Sequence, residues 1–158
     1  MIKMARNSSI YIVLVLAFSL LFVSVVSAYQ NFCLEFKAAN NDTKVVAKHS
    51  DSLNITGELT MEAWVYPTEI LGQAIIVNKE STWEIELQNL VLKAAVNSAR
   101  WAWEGGGKVE LNKWSHVAVS FDTKEHHTFV NGKYQVSTSI PGKIKPSTEN
   151  FHVGWRPC

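Results

Sequence analysis

The 158-residue chain lacks most of the features that assign chemistry from sequence alone. It has two cysteines, Cys33 and Cys158, so at most one disulfide is available within it. It has no run of basic residues, which argues against a nucleic-acid partner. No long stretch of helical apolar spacing follows residue 28, and there is no internal repeat or low-complexity segment. Gly105-Gly106-Gly107 is a run of glycines, but no strand-to-helix context surrounds it. It reads as a flexible loop rather than a phosphate cradle. His126-His127 reads as a loop pair with no further ligand at metal spacing.

Acidic residues are absent from the first 28 positions, which carry Lys3 and Arg6. Residues 10–28 are almost continuously apolar and end on Val26-Ser27-Ala28. A basic start, an apolar middle and a small-residue end describe a secretory signal peptide, with cleavage expected before Tyr29. The rival is an uncleaved membrane anchor, since such a helix reaches roughly 28 Å. Either way the rest of the chain lies outside the cytoplasm. Without Lys3 and Arg6, the 15 basic residues fall to 13 against 14 acidic ones. A chain of this length buries roughly two-thirds of the surface it exposes when unfolded, enough for one core. In an exported protein the two cysteines suggest a Cys33–Cys158 bridge. Closing almost the whole domain, it would contribute roughly 4–5 kcal/mol in the chain-entropy model. The alternative is two free thiols.

What remains is a series of short apolar-alternating runs separated by Gly, Asn, Asp and Pro. They predict strands over 33–37, 45–49, 59–66, 73–79, 82–88, 91–96, 99–103, 114–121, 128–130, 134–137 and 151–155. The fold class is all-β, an antiparallel sandwich. In 59–66 the set Leu59, Met61, Ala63 and Val65 points one way, and Thr60, Glu62, Trp64 and Tyr66 the other. Pro67 ends that strand because it has no N–H for the ladder. Asn131-Gly132 predicts a type I′ hairpin turn, which needs positive φ at both residues.

Several segments occur in an order with a known counterpart. They are Leu34-Glu35-Phe36, Glu62-Ala63-Trp64-Val65, Ile75-Ile76-Val77-Asn78-Lys79, Lys113-Trp114-Ser115-His116-Val117-Ala118, Phe129-Val130-Asn131-Gly132-Lys133 and Val153-Gly154. Together they resemble the laminin-G-like jelly roll of the concanavalin A-like lectin and glucanase superfamily, from about residue 32 to 155. The resemblance implies two curved antiparallel sheets packed face to face. It also implies a structural role for Trp64 and Trp114, which recur in the family's strand motifs. It leaves function open, because members bind sugars, proteins or calcium. Two departures follow. Lys37-Ala38 stand where the family has an acidic residue and a glycine, which weakens a borrowed calcium site. The family's closing strand, with its acidic pair, has no counterpart before Cys158, which leaves a sheet edge open to a partner strand.

Glycosidases of this fold carry a strand reading roughly E-I-D-x-x-E. Here Trp83-Glu84-Ile85-Glu86-Leu87-Gln88 keeps two acids on one face, Gln88 continues that face, and the third acid is missing. The bland reading of Glu84 and Glu86 is the solvent-facing side of a half-buried strand. Trp83, Trp101 and Trp103 are the aromatics able to stack on sugar or anchor a protein, with sheet core as the alternative. His116 reads as satisfying a local hydrogen bond. Asn40, Asn41 and Asp42 could offer oxygens to Ca²⁺ or form a solvated turn. Asn41 and Asn54 head glycosylation acceptors.

These readings converge on an exported module that binds glycan or protein through Trp83, Trp101, Trp103, Glu84 and Glu86. It carries no catalytic site and needs no cofactor, calcium aside. The alternatives are an accessory domain packed on a partner chain and, further off, a glycan hydrolase. A membrane is a partner only if residues 10–28 stay as an anchor.

Overall fold

The computed structural model describes residues 33–37 and 43–157. The signal or anchor segment, the Asn40–Asp42 calcium candidates, the Asn41 sequon and Cys158 lie outside the described residues, and with Cys158 the Cys33–Cys158 pairing. The chain divides into Met1–Glu35 and Phe36–Cys158.

The larger unit is all-β. Its strands are β1 (Val45–Ala47), β2 (Leu59–Val65), β3 (Ala74–Lys79), β4 (Trp83–Gln88), β5 (Val91–Val96), β6 (Ser115–Phe121), β7 (Glu125–Val130), β8 (Lys133–Ser139) and β9 (Phe151–Val153). One 3-10 turn, Asp51–Leu53, follows β1. Two antiparallel sheets result, ordered β1-β9-β3-β4-β5 and β2-β6-β7-β8.

Alternation decides which side chains meet between the sheets. From the four-stranded sheet, Leu59 and Met61 of β2 and Val117, Val119 and Phe121 of β6 face inward and are buried. The five-stranded sheet answers with Trp83, Ile85 and Leu87 of β4 and Leu92, Ala94 and Val96 of β5. Such contiguous apolar burial is the main force holding the sandwich together.

The expected strands over 33–37 and 99–103 are not formed, and isolated bridges follow the second of them. Glu104 pairs with Ala94 and Lys108 with Val91, so this segment runs along the outer edge of β5. Gly105-Gly106-Gly107 is there for closeness, not flexibility. A Cβ on Gly105 would lie 2.9 Å from the Leu92 carbonyl oxygen. One on Gly107 would lie 2.6 Å from the side chains of Val130 and Gln135. Gly105 and Gly107 also take φ of 141° and 96°, which a side chain resists. Asn131 and Gly132 have φ of 51° and 72°, as a type I′ turn requires.

Among the described residues, β2 pairs only with β6 and leaves its other edge open. An open edge is a template for another chain. Purified residues 29–158 are therefore expected to self-associate with rising concentration in light scattering. A monodisperse monomer throughout would contradict this.

Candidate functional site

β4 passes through the middle of the five-stranded sheet, so its two faces meet different surroundings. Trp83, Ile85 and Leu87 enter the core; the Trp83 ring packs 5.7 Å from that of Phe151. Trp83 is thus a core residue and offers no ring face to a ligand, a correction to its place among the candidate binding aromatics.

Glu84 and Glu86 project from the other face. Registered beside them are Asn78 of β3 and Ala95 of β5, then Ile75 of β3 and Lys93 of β5. Both glutamates are 0% exposed. The expected solvent-facing side of the strand is therefore covered. None of the four carboxylate oxygens makes a hydrogen bond of good geometry among the described residues, although the amides of Asn78 and Gln73 lie near enough to favour the ionised forms of Glu84 and Glu86. Buried charge without partners is costly, so such a pair marks a place built for something more than stability.

Arg156 reaches across this face. Its Nη1 lies 3.7 Å from Glu84 Oε2, and its Nη2 donates to Gln73 Oε1 at 3.3 Å. The guanidinium carbon sits 5.8 Å from the centroid of the Trp103 ring. Trp101 meets Trp103 edge to face at 6.1 Å, so the two indoles stand together as their spacing implied. Lys93 donates to the Gly105 carbonyl at 3.4 Å. Beyond Asn78, His152 lies within 3.3 Å of the Asn78 amide oxygen, and its ring contacts Trp155, over which Lys44 sits at 4.1 Å.

Burial dominates the electrostatics. It pushes the Glu84 carboxyl up to about 7, helped by the charge of Glu80 and opposed by Asn78 and Arg156. Burial also raises Glu86, against the pull of Gln73, Arg156 and Lys93. The site therefore holds two carboxyls that accept hydrogen bonds readily, one of them exchanging its proton near neutrality. A retaining glycosidase needs a nucleophile and an acid flanking the scissile bond. Gln88, exposed at the end of β4, supplies no third carboxyl.

Two aromatic positions also differ from expectation. Trp64 is 66% and Trp114 47% exposed, on the outside of the four-stranded sheet. Trp64 packs on His116 at 5.3 Å and Tyr66 on Trp114 at 5.5 Å. Alternation sets Trp64 opposite the core-facing Met61 and Ala63, so the structural role implied by the family motif does not place its ring in the core. His116 Nε2 lies 3.5 Å from Glu62.

His126 and His127 belong to β7 rather than a loop. His126 is buried, and burial lowers its pKa. The turn from β6 to β7 brings Asp122 and Glu125 to His127, with ligand atoms of all three within 4.8 Å of one another. Sequence spacing alone missed this set. Two of its oxygens are already engaged: Asp122 Oδ1 accepts the backbone N–H groups of Lys124 and Glu125, and Glu125 Oε2 accepts the Ser137 hydroxyl. Asn54 is half-buried, and its Oδ1 accepts the Ser147 N–H.

This two-sheet sandwich, with a polar and aromatic face on one sheet, defines the class to which the chain is compared. Residues 39–157 match the concanavalin A-like lectin/glucanases superfamily, and the chain belongs to that superfamily. A search of curated protein sequences finds no match. Among solved structures the chain is similar to domains LG4-5 of the mouse laminin alpha1 chain, with TM-score 0.58 and 12% identity over 81% of this chain and 37% of that one. It is similar to the botulinum neurotoxin serotype G binding domain, with TM-score 0.57 and 13% identity over 72% and 33%. It is also similar to domain 4 of AbnA, a GH43 extracellular arabinanase from Geobacillus stearothermophilus in complex with arabinotriose. There the TM-score is 0.52, with 16% identity over 82% and 71%. The chain spans about a third of the length of the first two. At these identities the likeness is one of fold.

Proposed function

We propose that the chain is an exported, non-catalytic binding module that takes a glycan on the outer face of its five-stranded sheet. One observation carries this reading. Glu84 and Glu86 hold four buried oxygens with no well-formed hydrogen bond among the described residues, and Arg156 links Glu84 to Trp103 of the Trp101–Trp103 pair. Sugars supply what that face lacks, since hydroxyls donate to carboxylates while the ring's C–H face stacks on an indole. A related fold bound to arabinotriose, in AbnA domain 4, supports a sugar as ligand.

A second reading, an accessory domain packed on a partner protein, is favoured by the exposed Trp64, Tyr66 and Trp114 on the opposite sheet. Large exposed apolar groups in one place mark interaction surfaces.

A glycan array with purified residues 29–158 tests the first reading. Stacking contributes about 1–3 kcal/mol per ring on the scale of base–aromatic contacts, so affinity falls between millimolar and micromolar. Trp103→Ala should weaken binding of the best glycan about tenfold, a loss of about 1.4 kcal/mol, with near-UV circular dichroism showing the fold intact. Equal binding by the folded variant would place the ligand elsewhere.

A further inference from the structure

We infer that the Glu84–Glu86 face selects glycans bearing a free, protonated amine, an amino sugar whose nitrogen is not acylated. This rests on the glycan-binding reading above and narrows its ligand.

The carboxyls of this face are buried and, among the described residues, short of donors. Glu84 and Glu86 are fully buried, and none of their oxygens makes a hydrogen bond of good geometry among the described residues, the amides of Asn78 and Gln73 lying near without closing one. Glu80 lies close enough to raise the Glu84 carboxyl further. The cations acting on the pair are Arg156 on both glutamates and Lys93 on Glu86. Three carboxylates thus face two cations, and Lys93 already donates to the Gly105 carbonyl. A neutral hydroxyl would supply a hydrogen bond but no charge to favour the ionised form of the two buried carboxyls. An ammonium supplies three donors and the missing charge together.

Arg156 shows where such a cation sits. Its guanidinium lies beside Glu84, over the Trp103 ring and against Gln73. Yet its approach to Glu84, at 3.7 Å, exceeds hydrogen-bonding distance. It occupies the position loosely and, among the described residues, leaves Glu86 without a well-formed hydrogen bond. The amine of a sugar ring stacked on Trp103 takes the same position, with the ring plane and the positive charge both favoured by the indole face. The same chemistry rejects other sugars. A uronic acid would add a negative charge to an already acidic floor. An N-acetyl group offers one N–H, no charge and a carbonyl oxygen facing two carboxylates.

The test compares three neutral-backbone ligands on the wild-type protein by isothermal titration at physiological ionic strength and slightly acid pH. They are an oligomer of glucosamine, its fully N-acetylated counterpart and the matching glucose oligomer. Oligolysine of similar charge is the fourth probe. The glucosamine oligomer should bind at least about tenfold more tightly than each of the others. Glu84→Gln combined with Glu86→Gln should erase that preference. Equal or tighter binding of the acetylated or glucose oligomer would overturn the amine selectivity and leave glycan binding standing. Oligolysine binding as tightly as the glucosamine oligomer would show that charge alone is read, and would overturn the inference. Failure of every sugar to bind would bring down the glycan reading itself. The wild-type comparison needs no variant, so it decides the matter even where the double substitution does not fold.

Discussion

Glu84→Gln should stabilise the folded domain at alkaline pH and change little in acid. The Glu84 carboxyl rises from 4.5 to about 7 on folding because burial disfavours its charged form. Below pH 4.5 the group is neutral in both folded and unfolded chains and costs nothing. As pH climbs to about 7 the unfolded chain ionises first, and the folded state is increasingly disfavoured. Above that the full difference of about 3 kcal/mol is present. Removing the titrating group removes that cost. His126 works in the opposite direction: burial lowers its pKa, so the folded state weakens as pH falls below 6.5. His152, also lowered mainly by burial, does the same. Both histidines are shared by wild type and variant, so they cancel in the difference. Denaturant unfolding of the two proteins in acid and in mild alkali should give stability curves that diverge as pH rises. Parallel curves would show that Glu84 is hydrated or paired.

The second large effect separates the two faces of the sandwich. Ile85 is 0% exposed at the centre of β4, and Ile85→Ala should cost about 2–5 kcal/mol through lost transfer energy and a residual cavity. Trp64 is a larger side chain, yet it is 66% exposed and rests on His116. Trp64→Ala should cost no more than about 0.5 kcal/mol, as surface substitutions do. Urea midpoints measure both. A loss of several kcal/mol at Trp64 would restore the structural role that the strand motif implies.

The strands were legible where alternation and turn chemistry agreed. Residues 59–65 and 115–121 alternate inward apolar and outward side chains, and they pair residue for residue, Met61 with Val119 and Ala63 with Val117. Asn131-Gly132 marks the hairpin of β7 and β8 because few other dipeptides accept positive φ twice. Residues 99–103 have the right alternation but form no ladder, the bridges to β5 falling only at Glu104 and Lys108, because pairing is decided by what lies alongside and not by period. The glycine run looked like slack chain, since nothing in its sequence shows that Val130, Gln135 and Leu92 crowd it.

The site was half legible. Period two placed Glu84 and Glu86 on one face and Trp101 beside Trp103, and the folded chain keeps both arrangements. Their burial was not readable, because it is set by parts of the chain distant in sequence, such as Arg156, which lies 3.7 Å from Glu84. The same limit hid the meeting of His127 with Asp122 and Glu125, which a turn brings about and no spacing rule encodes.

The central claim is that the ligand sits on the outer face of the five-stranded sheet. Backbone amide chemical shifts of ¹⁵N-labelled residues 29–158, titrated with the best-binding glycan, test it most directly. The largest changes should fall on β4, on Asn78 and Lys93 beside it, and on the indole N–H signals of Trp101 and Trp103. Changes concentrated instead on Trp64, Tyr66 and Trp114, with β4 unmoved, would contradict the claim and assign recognition to the opposite sheet.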